Sequence, residues 1–367
     1  MKVSDYLAAV IGAHCPFVVQ GGAAVHMVDS LARSGYRYVC CAHEQAAGFA
    51  ADGYAKVKGF GVAVSTCGPG ATNLLTAAAS AYFENAPVLY LVGQQYGFQE
   101  LDVVGMFKSV TRYAKMVTKV ETLADDLAMA LSIVNTGPVL VNIHDHVYHG
   151  EMDVEPLPYC PSTGYGAPNV PEIFAKIRAP LPDQEWPATG SINPYQFMRE
   201  LNQRTETIVT DIGNHGVWTK QAATREVISD NQFGAMGYAI AASIGVACAG
   251  QPVACVTGDG SIQMNIQEFA TLAKHNLNVK IFILNDAGYG MIRCTQDRWL
   301  QGRHSGCDLN DLPRVDFERV ATAYGIPNRR WDAHEDMDFE SIFAMDGPVL
   351  VNVTIDPAQG VYGEGRG

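Results

Sequence analysis

Short apolar runs alternate with helical patterns along most of the chain, and this alternation constrains the fold more than any other feature. Seven runs of three to seven residues are apolar at nearly every position: 62–66, 88–92, 139–143, 208–210, 253–256, 280–284 and 349–355. Such runs are typical of strands buried on both faces. Helical patterns separate them at 44–58, 71–82, 123–134, 195–202, 235–248 and 266–274. We therefore predict an α/β fold in which mostly parallel sheets are flanked by helices.

A repeated hexapeptide and a proline-rich stretch divide the chain. Gly-Pro-Val-Leu-Val-Asn occurs at 137–142 and again at 347–352, late in each half. This repeat predicts two similar domains of the same topology. Nine of the 18 prolines fall between 156 and 194, a composition that favours an extended linker. We predict domains at 1–155 and 191–360, a linker at 156–190 and a flexible tail at 361–367.

The charge and the cysteine content narrow the class of protein. The chain has 25 Lys and Arg against 38 Asp and Glu, a net charge of -13, which argues against nucleic-acid and membrane-surface partners. No apolar window is long enough to span a bilayer, and the N-terminus has no export signal. Nine cysteines without metal-site spacing fit a reducing compartment, so we predict a cytoplasmic protein. A redox role for the adjacent Cys40 and Cys41 is the alternative for that pair.

The strongest local signal is a pair of acidic turns that follow two strands. Gly258-Asp259-Gly260-Ser261 follows the run at 253–256, and Asn285-Asp286-Ala287-Gly288 follows the run at 280–284. Parallel strands bring their carboxyl ends to one edge of a sheet, so Asp259 and Asp286 should lie side by side. Carboxylates suit Mg²⁺, which keeps phosphate oxygens as further ligands. Gly-Asp-Gly alone would be read as a tight turn, and only the pairing favours a ligand site.

Two segments of the first half also lie between a strand and a helix. His43-Glu44-Gln45 opens a helix, where Glu44 could simply stabilise the helix dipole. The turn from Thr66 to Asn73 is similar to a phosphate loop but lacks the lysine of nucleotide-binding loops. A dinucleotide dehydrogenase is a poor alternative, because no Gly-x-Gly-x-x-Gly opens a βαβ unit.

Together these stretches resemble thiamine diphosphate-dependent enzymes of the acetolactate synthase and 2-oxo acid decarboxylase family. In the first half the similar segments are 20–23, 43–55, 68–73, 93–94 and 98–100. In the second half they are 211–215, 234–237 and the whole run 258–291. The resemblance covers about residues 1–150 and 190–357. It implies that 1–155 is the pyrimidine-binding domain and that 191–360 is the diphosphate-binding domain.

The resemblance also implies roles for particular residues. Glu44 matches the glutamate that hydrogen-bonds the aminopyrimidine ring of the cofactor. Gln94, Phe98 and Gln99 fall near the reacting carbon and complete the expected catalytic set. Asp259, Asp286 and the Gly288 carbonyl match the metal ligands, and Met291 matches the residue that supports the bent cofactor. The expected cofactor-binding residues are Gly21, Gly22, Glu44, Pro69, Asn73, Gly213, Asn214, His215, Gly234, Met236, Asp259, Gly260, Ser261, Asp286, Gly288, Tyr289, Gly290 and Met291.

Two departures from the family pattern stand out. Asp286 occupies a position where many relatives have Asn. The middle domain of acetolactate synthases, which carries their flavin site, is replaced by the proline-rich linker, so FAD is not expected. Sulfopyruvate and phosphonopyruvate decarboxylases have this two-domain layout but different motifs around the catalytic glutamate. Motifs and architecture therefore indicate different subfamilies.

The resemblance leads to a functional expectation with open alternatives. We expect decarboxylation of a pyruvate-like 2-oxo acid, dependent on thiamine diphosphate and Mg²⁺, with carboligation to a second carbonyl. Simple decarboxylation, acyl transfer to a keto-sugar and a non-catalytic cofactor-binding relative remain as alternatives. In this family the cofactor lies at an interface between chains, which implies a homodimer or homotetramer.

Several further side chains have two readings. His144, His146 and His149 form a His-x-His-x-x-His pattern that is either a transition-metal site or a solvated strand end. Arg112 and Lys115 are either surface charges or contacts to a substrate carboxylate. His26 is either structural or directed at the reacting centre.

Overall fold

The computed structural model describes residues 1–156, 159, 189–224 and 227–361. Contacts divide the chain into two compact units, Met1–Pro168 with Ile244–Ala249, and Asn169–Ser243 with Gly250–Gly367. The predicted linker at 156–190 and tail at 361–367 lie almost wholly outside the described residues. Those boundaries therefore stay a prediction.

A six-stranded parallel sheet forms the centre of the first unit. Its strands are β1 Phe17–Val18, β2 Val39–Cys40, β3 Gly61–Ser65, β4 Val88–Gln94, β5 Tyr113–Val117 and β6 Val139–His144. Their order is β2-β1-β3-β4-β6-β5, and each neighbouring pair is parallel. The helices are α1 Val3–Ile11, α2 Val25–Arg33, α3 Glu44–Lys58, α4 Pro69–Glu84, α5 Val103–Phe107, α6 Val120–Ile133 and α7 Asp145–Tyr148. The central strands β3, β4 and β6 are buried throughout, as their apolar runs predicted.

The second unit is built in the same way. Its strands are β7 Ile208–Thr210, β8 Val227–Ser229, β9 Val253–Gly258, β10 Val279–Asn285, β11 Asn328–Trp331 and β12 Val349–Thr354. Their order is β11-β12-β10-β9-β7-β8, again with parallel pairs only. The helices that lie wholly in this unit are α8 Pro194–Asn202, α9 Asn214–Ala222, α11 Phe269–Lys274, α12 Gly290–Leu300, α13 Phe317–Ala323 and α14 Phe339–Ala344. Helix α10, Tyr238–Cys248, begins in this unit, and its residues from Ile244 onward are grouped with the first.

The two sheets share one topology. In each, the sixth strand of the unit lies between the fourth and the fifth, and the first lies between the second and the third. The repeated hexapeptide leads into that sixth strand in both units, β6 and β12. The structure thus confirms the α/β fold and the shared topology that the repeat predicted.

The ends of two helices illustrate how local sequence sets the elements. Helix α3 starts at Glu44, where the His43 ring accepts the Gln45 N–H at 3.1 Å. It ends at Lys58, because the next residue, Gly59, has a φ of +82°. The helix predicted at 235–248 begins only at Tyr238. Gly234 and Gly237 have φ of +73° and +80°, which a helix does not accommodate. None of the helices in the described ranges is both long enough and apolar enough to cross a membrane.

Candidate active site

A cavity of about 260 Å³ lies at the carboxyl ends of the strands in the second unit. It brings together most of the residues that the sequence singled out there: Gly213, Asn214, His215, Met236, Asp259, Gly260, Ser261, Asp286, Gly288, Tyr289, Gly290 and Met291. Gly234 is not among its lining residues. Ile212, Trp218, Leu284 and Ile292 also line it, and sequence reasoning gave them no role. The mixed apolar and polar lining suits a small organic ligand with a polar end.

Two buried carboxylates meet in this cavity. Asp259 follows β9 and Asp286 follows β10, and these strands are adjacent and parallel. Burial raises the pKa of Asp259 to about 6. Burial, and next the nearby charge of Asp259, raise the pKa of Asp286 to about 7. The Gly288 N–H donates to Asp259 Oδ2 at 2.8 Å, while Asp259 Oδ1 has no hydrogen-bond partner among the described residues.

These features fit a divalent cation. Two carboxylates held close together in a buried place repel each other, and a cation removes that repulsion. The unpartnered Oδ1 of Asp259 is a buried acceptor that a metal ion would satisfy. Glycine at position 290 leaves room for the carboxylate, because a Cβ there would clash with Asp286 Oδ2 as it now lies. The backbone can therefore approach the carboxylate closely.

Arg293 is a charge partner that the sequence did not reveal. Its Nη2 lies 3.2 Å from Asp286 Oδ2 and donates to the Asp286 carbonyl oxygen at 2.7 Å. The side chain is only 8% exposed. Arg293 offsets part of the negative charge of Asp286 inside the protein.

Asp211 holds the polar wall of the cavity in place. Its carboxylate accepts from Ser261 Oγ at 2.7 Å and from the Gly237 and Ala239 N–H groups at 3.1 and 3.2 Å. It also lies 2.7 Å from the His215 ring nitrogen Nε2. Asp211 thus ties together the loops after β7 and β9 and the start of α10. Such a network fixes the orientation of the groups that face a ligand.

One polar side chain of the cavity wall, that of Asn214, has no hydrogen-bond partner among the described residues. Asn214 is buried at the start of α9, and neither its Oδ1 nor its Nδ2 is bonded to any described residue. The first N–H groups of a helix and an amide side chain suit the oxygens of a diphosphate. The nine residues of α9 begin at this point.

In the first unit, Glu44 lies in a second polar cluster. Its Oε2 accepts from Asn73 Nδ2 at 2.9 Å, and its side chain is largely buried. Pro69 is the first residue of α4, the helix that carries Asn73. Gly70 permits close packing here, since a Cβ would lie 2.9 Å from Thr66 Cγ2 and 3.5 Å from Glu44 Oε1. The structure thus brings together Glu44, Asn73 and the turn before α4.

The other residues predicted for the first half differ in their burial and in whether they contact this turn. The Cys67 thiol donates to Gln99 Oε1 at 3.7 Å, and a Cβ on Gly21 would lie 2.5 Å from Thr66 Cβ. Gln94 is buried and bonded to the Leu101 carbonyl at 2.7 Å. Gly22 starts a short 3₁₀ turn with open space around it. Phe98 is 72% exposed, so no pocket of the described first unit holds its ring.

The remaining candidates of the first half are engaged by neighbours. Arg112 donates to Asn85 Oδ1 at 2.6 Å and lies over the Tyr82 ring. Lys115 lies 3.6 Å from an Asp126 oxygen, and His26 packs edge-on against His149. These contacts favour structural roles for all three. Cys40 is exposed and Cys41 is buried, both as thiols.

Two family descriptions match the chain over these same regions. "Thiamine pyrophosphate enzyme, N-terminal TPP binding domain" matches residues 1–109. "Thiamine pyrophosphate enzyme, C-terminal TPP binding domain" matches residues 211–353, and thiamine pyrophosphate is another name for thiamine diphosphate. The chain belongs to the thiamine diphosphate-dependent enzymes. The matched ranges include Glu44, Asp259 and Asp286, and the family confirms the predicted cofactor.

Curated relatives of this thiamine diphosphate-dependent enzyme are acetolactate synthases. The isozyme 2 large subunit of Escherichia coli is 24% identical over 96% of this chain and 94% of its own length. The probable large subunit of Methanocaldococcus jannaschii is 24% identical over 94% of this chain and 89% of its own. The large subunit of Cyanidium caldarium is 32% identical over 46% of this chain.

The alignments also show where this thiamine diphosphate-dependent enzyme differs. The alignment with the Escherichia coli isozyme 2 subunit spans 519 positions, more than the 367 residues of this chain. The relative therefore has a segment that this chain lacks. Neither family description covers residues 110–210, which include the proline-rich stretch. This agrees with the absence of a middle domain.

Proposed function

We propose that this enzyme decarboxylates a pyruvate-like 2-oxo acid and joins the remaining fragment to a second carbonyl compound, as an acetolactate synthase does. The observation that carries the proposal is the buried Asp259 and Asp286 pair in a cavity at the strand ends, within a chain that has relatives named acetolactate synthases. Mg²⁺ is proposed as the cation, because carboxylate and carbonyl oxygens are its preferred protein ligands.

In the second unit, the chain's own groups would hold the charged end of the cofactor. Asp259, Asp286 and the Gly288 carbonyl are the proposed Mg²⁺ ligands, with diphosphate oxygens completing the shell. Gly213, Asn214 and His215 surround the start of α9, where N–H groups favour anions. Met291 lines the apolar side of the same cavity and is proposed to support the bent cofactor.

In the first unit, Glu44 is the proposed proton-transfer group. When bound, thiamine diphosphate supplies a nucleophilic carbon that attacks the substrate carbonyl and accepts the electrons released with CO₂. Glu44 would hold a proton at the aminopyrimidine ring, and Asn73 keeps its carboxylate oriented through the 2.9 Å hydrogen bond. Gln94 and Gln99 are proposed to position the substrate, and Phe98 to cover it.

The site is proposed to be shared between two chains. The proposal rests on the resemblance, which implies that the pyrimidine-binding domain of one chain would lie against the diphosphate-binding domain of its partner. We therefore propose a homodimer or a dimer of such dimers, which are common closed assemblies.

Product analysis tests the reaction. Purified protein is incubated with pyruvate, thiamine diphosphate and Mg²⁺ but without FAD, and CO₂, acetaldehyde and acetolactate are measured. We expect CO₂ and acetolactate. CO₂ with acetaldehyde alone would instead assign simple decarboxylation. Cofactor binding without CO₂ from any of a panel of 2-oxo acids would contradict the proposed reaction and leave a binding protein.

The pH dependence tests the carboxylate pair. Folding raises the pKa of Asp259 from 3.8 to about 6 and that of Asp286 from 3.8 to about 7, so the folded protein binds their protons more tightly than the unfolded chain. Without a cation, this tighter proton binding stabilises the folded protein fully below about pH 4. The stabilisation is lost as the pH rises through about 6 to 7. We expect D286N to lose less thermal stability than the wild type between about pH 5 and pH 8 in EDTA.

Unfolding midpoints of both proteins across this pH range provide the measurement. Mg²⁺ with thiamine diphosphate should restore wild-type stability at the upper end, because the cation neutralises both carboxylates. If the unfolding midpoints of wild type and D286N in EDTA change with pH in parallel, burial of the Asp286 carboxylate does not destabilise the protein as expected.

A further inference from the structure

Three ligating side chains converge at the carboxyl end of β6 in the first unit. His144, Asp145 and His146 each offer an atom within 4.8 Å of the others. His144 Nδ1 lies 2.8 Å from Asp145 Oδ1 and 2.7 Å from His146 Nδ1. The cluster is graded in exposure, since His144 is buried, Asp145 is intermediate and His146 is exposed. The sequence pattern suggested His144, His146 and His149, and the structure instead groups the first two with Asp145.

The hydrogen bond between His146 Nε2 and the Thr118 carbonyl orients the other ring nitrogen, Nδ1, toward the cluster. His146 Nε2 lies 2.9 Å from the Thr118 carbonyl oxygen, which can only accept, so Nε2 carries the proton. The other ring nitrogen, Nδ1, therefore faces His144 Nδ1 at 2.7 Å. Histidines that bind metals commonly donate their other ring N–H to a backbone carbonyl in this way.

The polar contacts of the His144 ring are made by its Nδ1 atom. Its Nε2 is buried and has no hydrogen-bond partner among the described residues. The Tyr96 ring packs against it, with centroids 3.9 Å apart. The polar contacts of His144 thus point to the space shared with Asp145 Oδ1 and His146 Nδ1.

We propose that His144, Asp145 and His146 form a binding site for a divalent transition metal, separate from the aspartate pair of the second unit. Two imidazole nitrogens and one carboxylate oxygen favour Zn²⁺, Co²⁺ or Ni²⁺ over Mg²⁺. Three protein ligands leave a fourth position for water. His149 is outside this group, since its ring packs against His26.

Only a small movement is needed to complete the geometry. Tetrahedral coordination with bonds of about 2.0–2.1 Å places neighbouring ligand atoms about 3.3 Å apart. The 2.7 Å between the two Nδ1 atoms must therefore widen by roughly half an ångström. His146 is exposed and can make this change by rotating its side chain.

Co²⁺ is the probe for this site. The full chain is prepared without a histidine tag, stripped of cations, and titrated with Co²⁺ in the presence of excess Mg²⁺, which occupies oxygen-rich sites. We expect one equivalent to bind with the visible absorption of four-coordinate Co²⁺ and without a thiolate charge-transfer band. H146Q should weaken this binding by about 100-fold or more, and H144Q likewise.

H304Q is the matched control. His304 is also paired with an aspartate, Asp297, at 2.7 Å, but it lies in the second unit. Its binding curve should equal that of the wild type. Equal Co²⁺ affinity of H146Q and the wild type, a thiolate charge-transfer band, or the absence of bound Co²⁺ would each overturn the proposal. Because the readout is metal binding, it is independent of the proposed reaction with 2-oxo acids.

Discussion

Replacement of Glu44 by Gln is expected to stop turnover while leaving cofactor binding largely intact. Glutamine has the same size, and its amide oxygen can still accept the Asn73 N–H that Glu44 accepts at 2.9 Å. It cannot hold or release a proton as a carboxylate does. Loss of general acid–base catalysis lowers kcat by about 10²–10⁴-fold. Initial rates of CO₂ release from pyruvate and calorimetric titration with thiamine diphosphate and Mg²⁺ provide the two readouts.

A control variant, E121Q, separates proton transfer by Glu44 from stabilisation of its helix. Glu121 lies in the first turn of α6, as Glu44 does in α3, but it is exposed. E121Q should keep the wild-type rate, with at most a small loss of stability from the helix dipole. Full activity of E44Q would refute the proton-transfer role, and loss of cofactor binding in E44Q would assign Glu44 to binding instead.

The central strands could be predicted from the sequence, and the edge strands could not. The runs at 62–66 and 280–284 differ from β3 and β10 by only one residue at each end, because strands buried on both faces must be apolar. Strand β5 includes the exposed Lys115, and β11 includes two exposed arginines, so neither forms an apolar run. Strand β1 has only two residues, too few for any periodic pattern.

The same distinction applies to the candidate site. Asp259 and Asp286 were predictable because each directly follows an apolar strand. Parallel strands bring their carboxyl ends to the same edge of a sheet, so the two residues lie close together. The role of Asp211 was not, since its partners Gly237 and Ser261 lie 26 and 50 positions further along the chain. Leu284 and Trp218 look like ordinary core residues in the sequence. Only the folded chain shows that they also line the cavity.

Replacement of Asp259 by Asn is expected to weaken Mg²⁺-dependent cofactor binding strongly. Asparagine can still accept the Gly288 N–H that Asp259 accepts at 2.8 Å, so the loop should keep its shape. The cation would lose one of its two proposed carboxylate ligands. Changes to groups that merely support a ligand cost 10–100-fold in metal affinity, so we expect the loss of a direct ligand to cost about 100-fold or more. Calorimetric titrations with thiamine diphosphate at fixed Mg²⁺ measure this change.

Asp356 offers a control in the same sheet. It follows β12, and its carboxylate accepts the Ala358 N–H at 2.8 Å, but it does not line the cavity. D356N should bind the cofactor as the wild type does. Unchanged cofactor affinity in D259N would contradict the assignment of Asp259 as a metal ligand.

The two inactive variants together test whether the site is shared between chains. In a dimer of one E44Q chain and one D259N chain, one site would combine Glu44 and Asp259 from the two intact halves, and the other would lack both. Differently tagged chains are co-expressed and the mixed dimer is purified over both tags. We expect about half of the wild-type activity per dimer, because a two-fold symmetric dimer has two equivalent sites. A mixed dimer as inactive as either parent would place each site within a single chain.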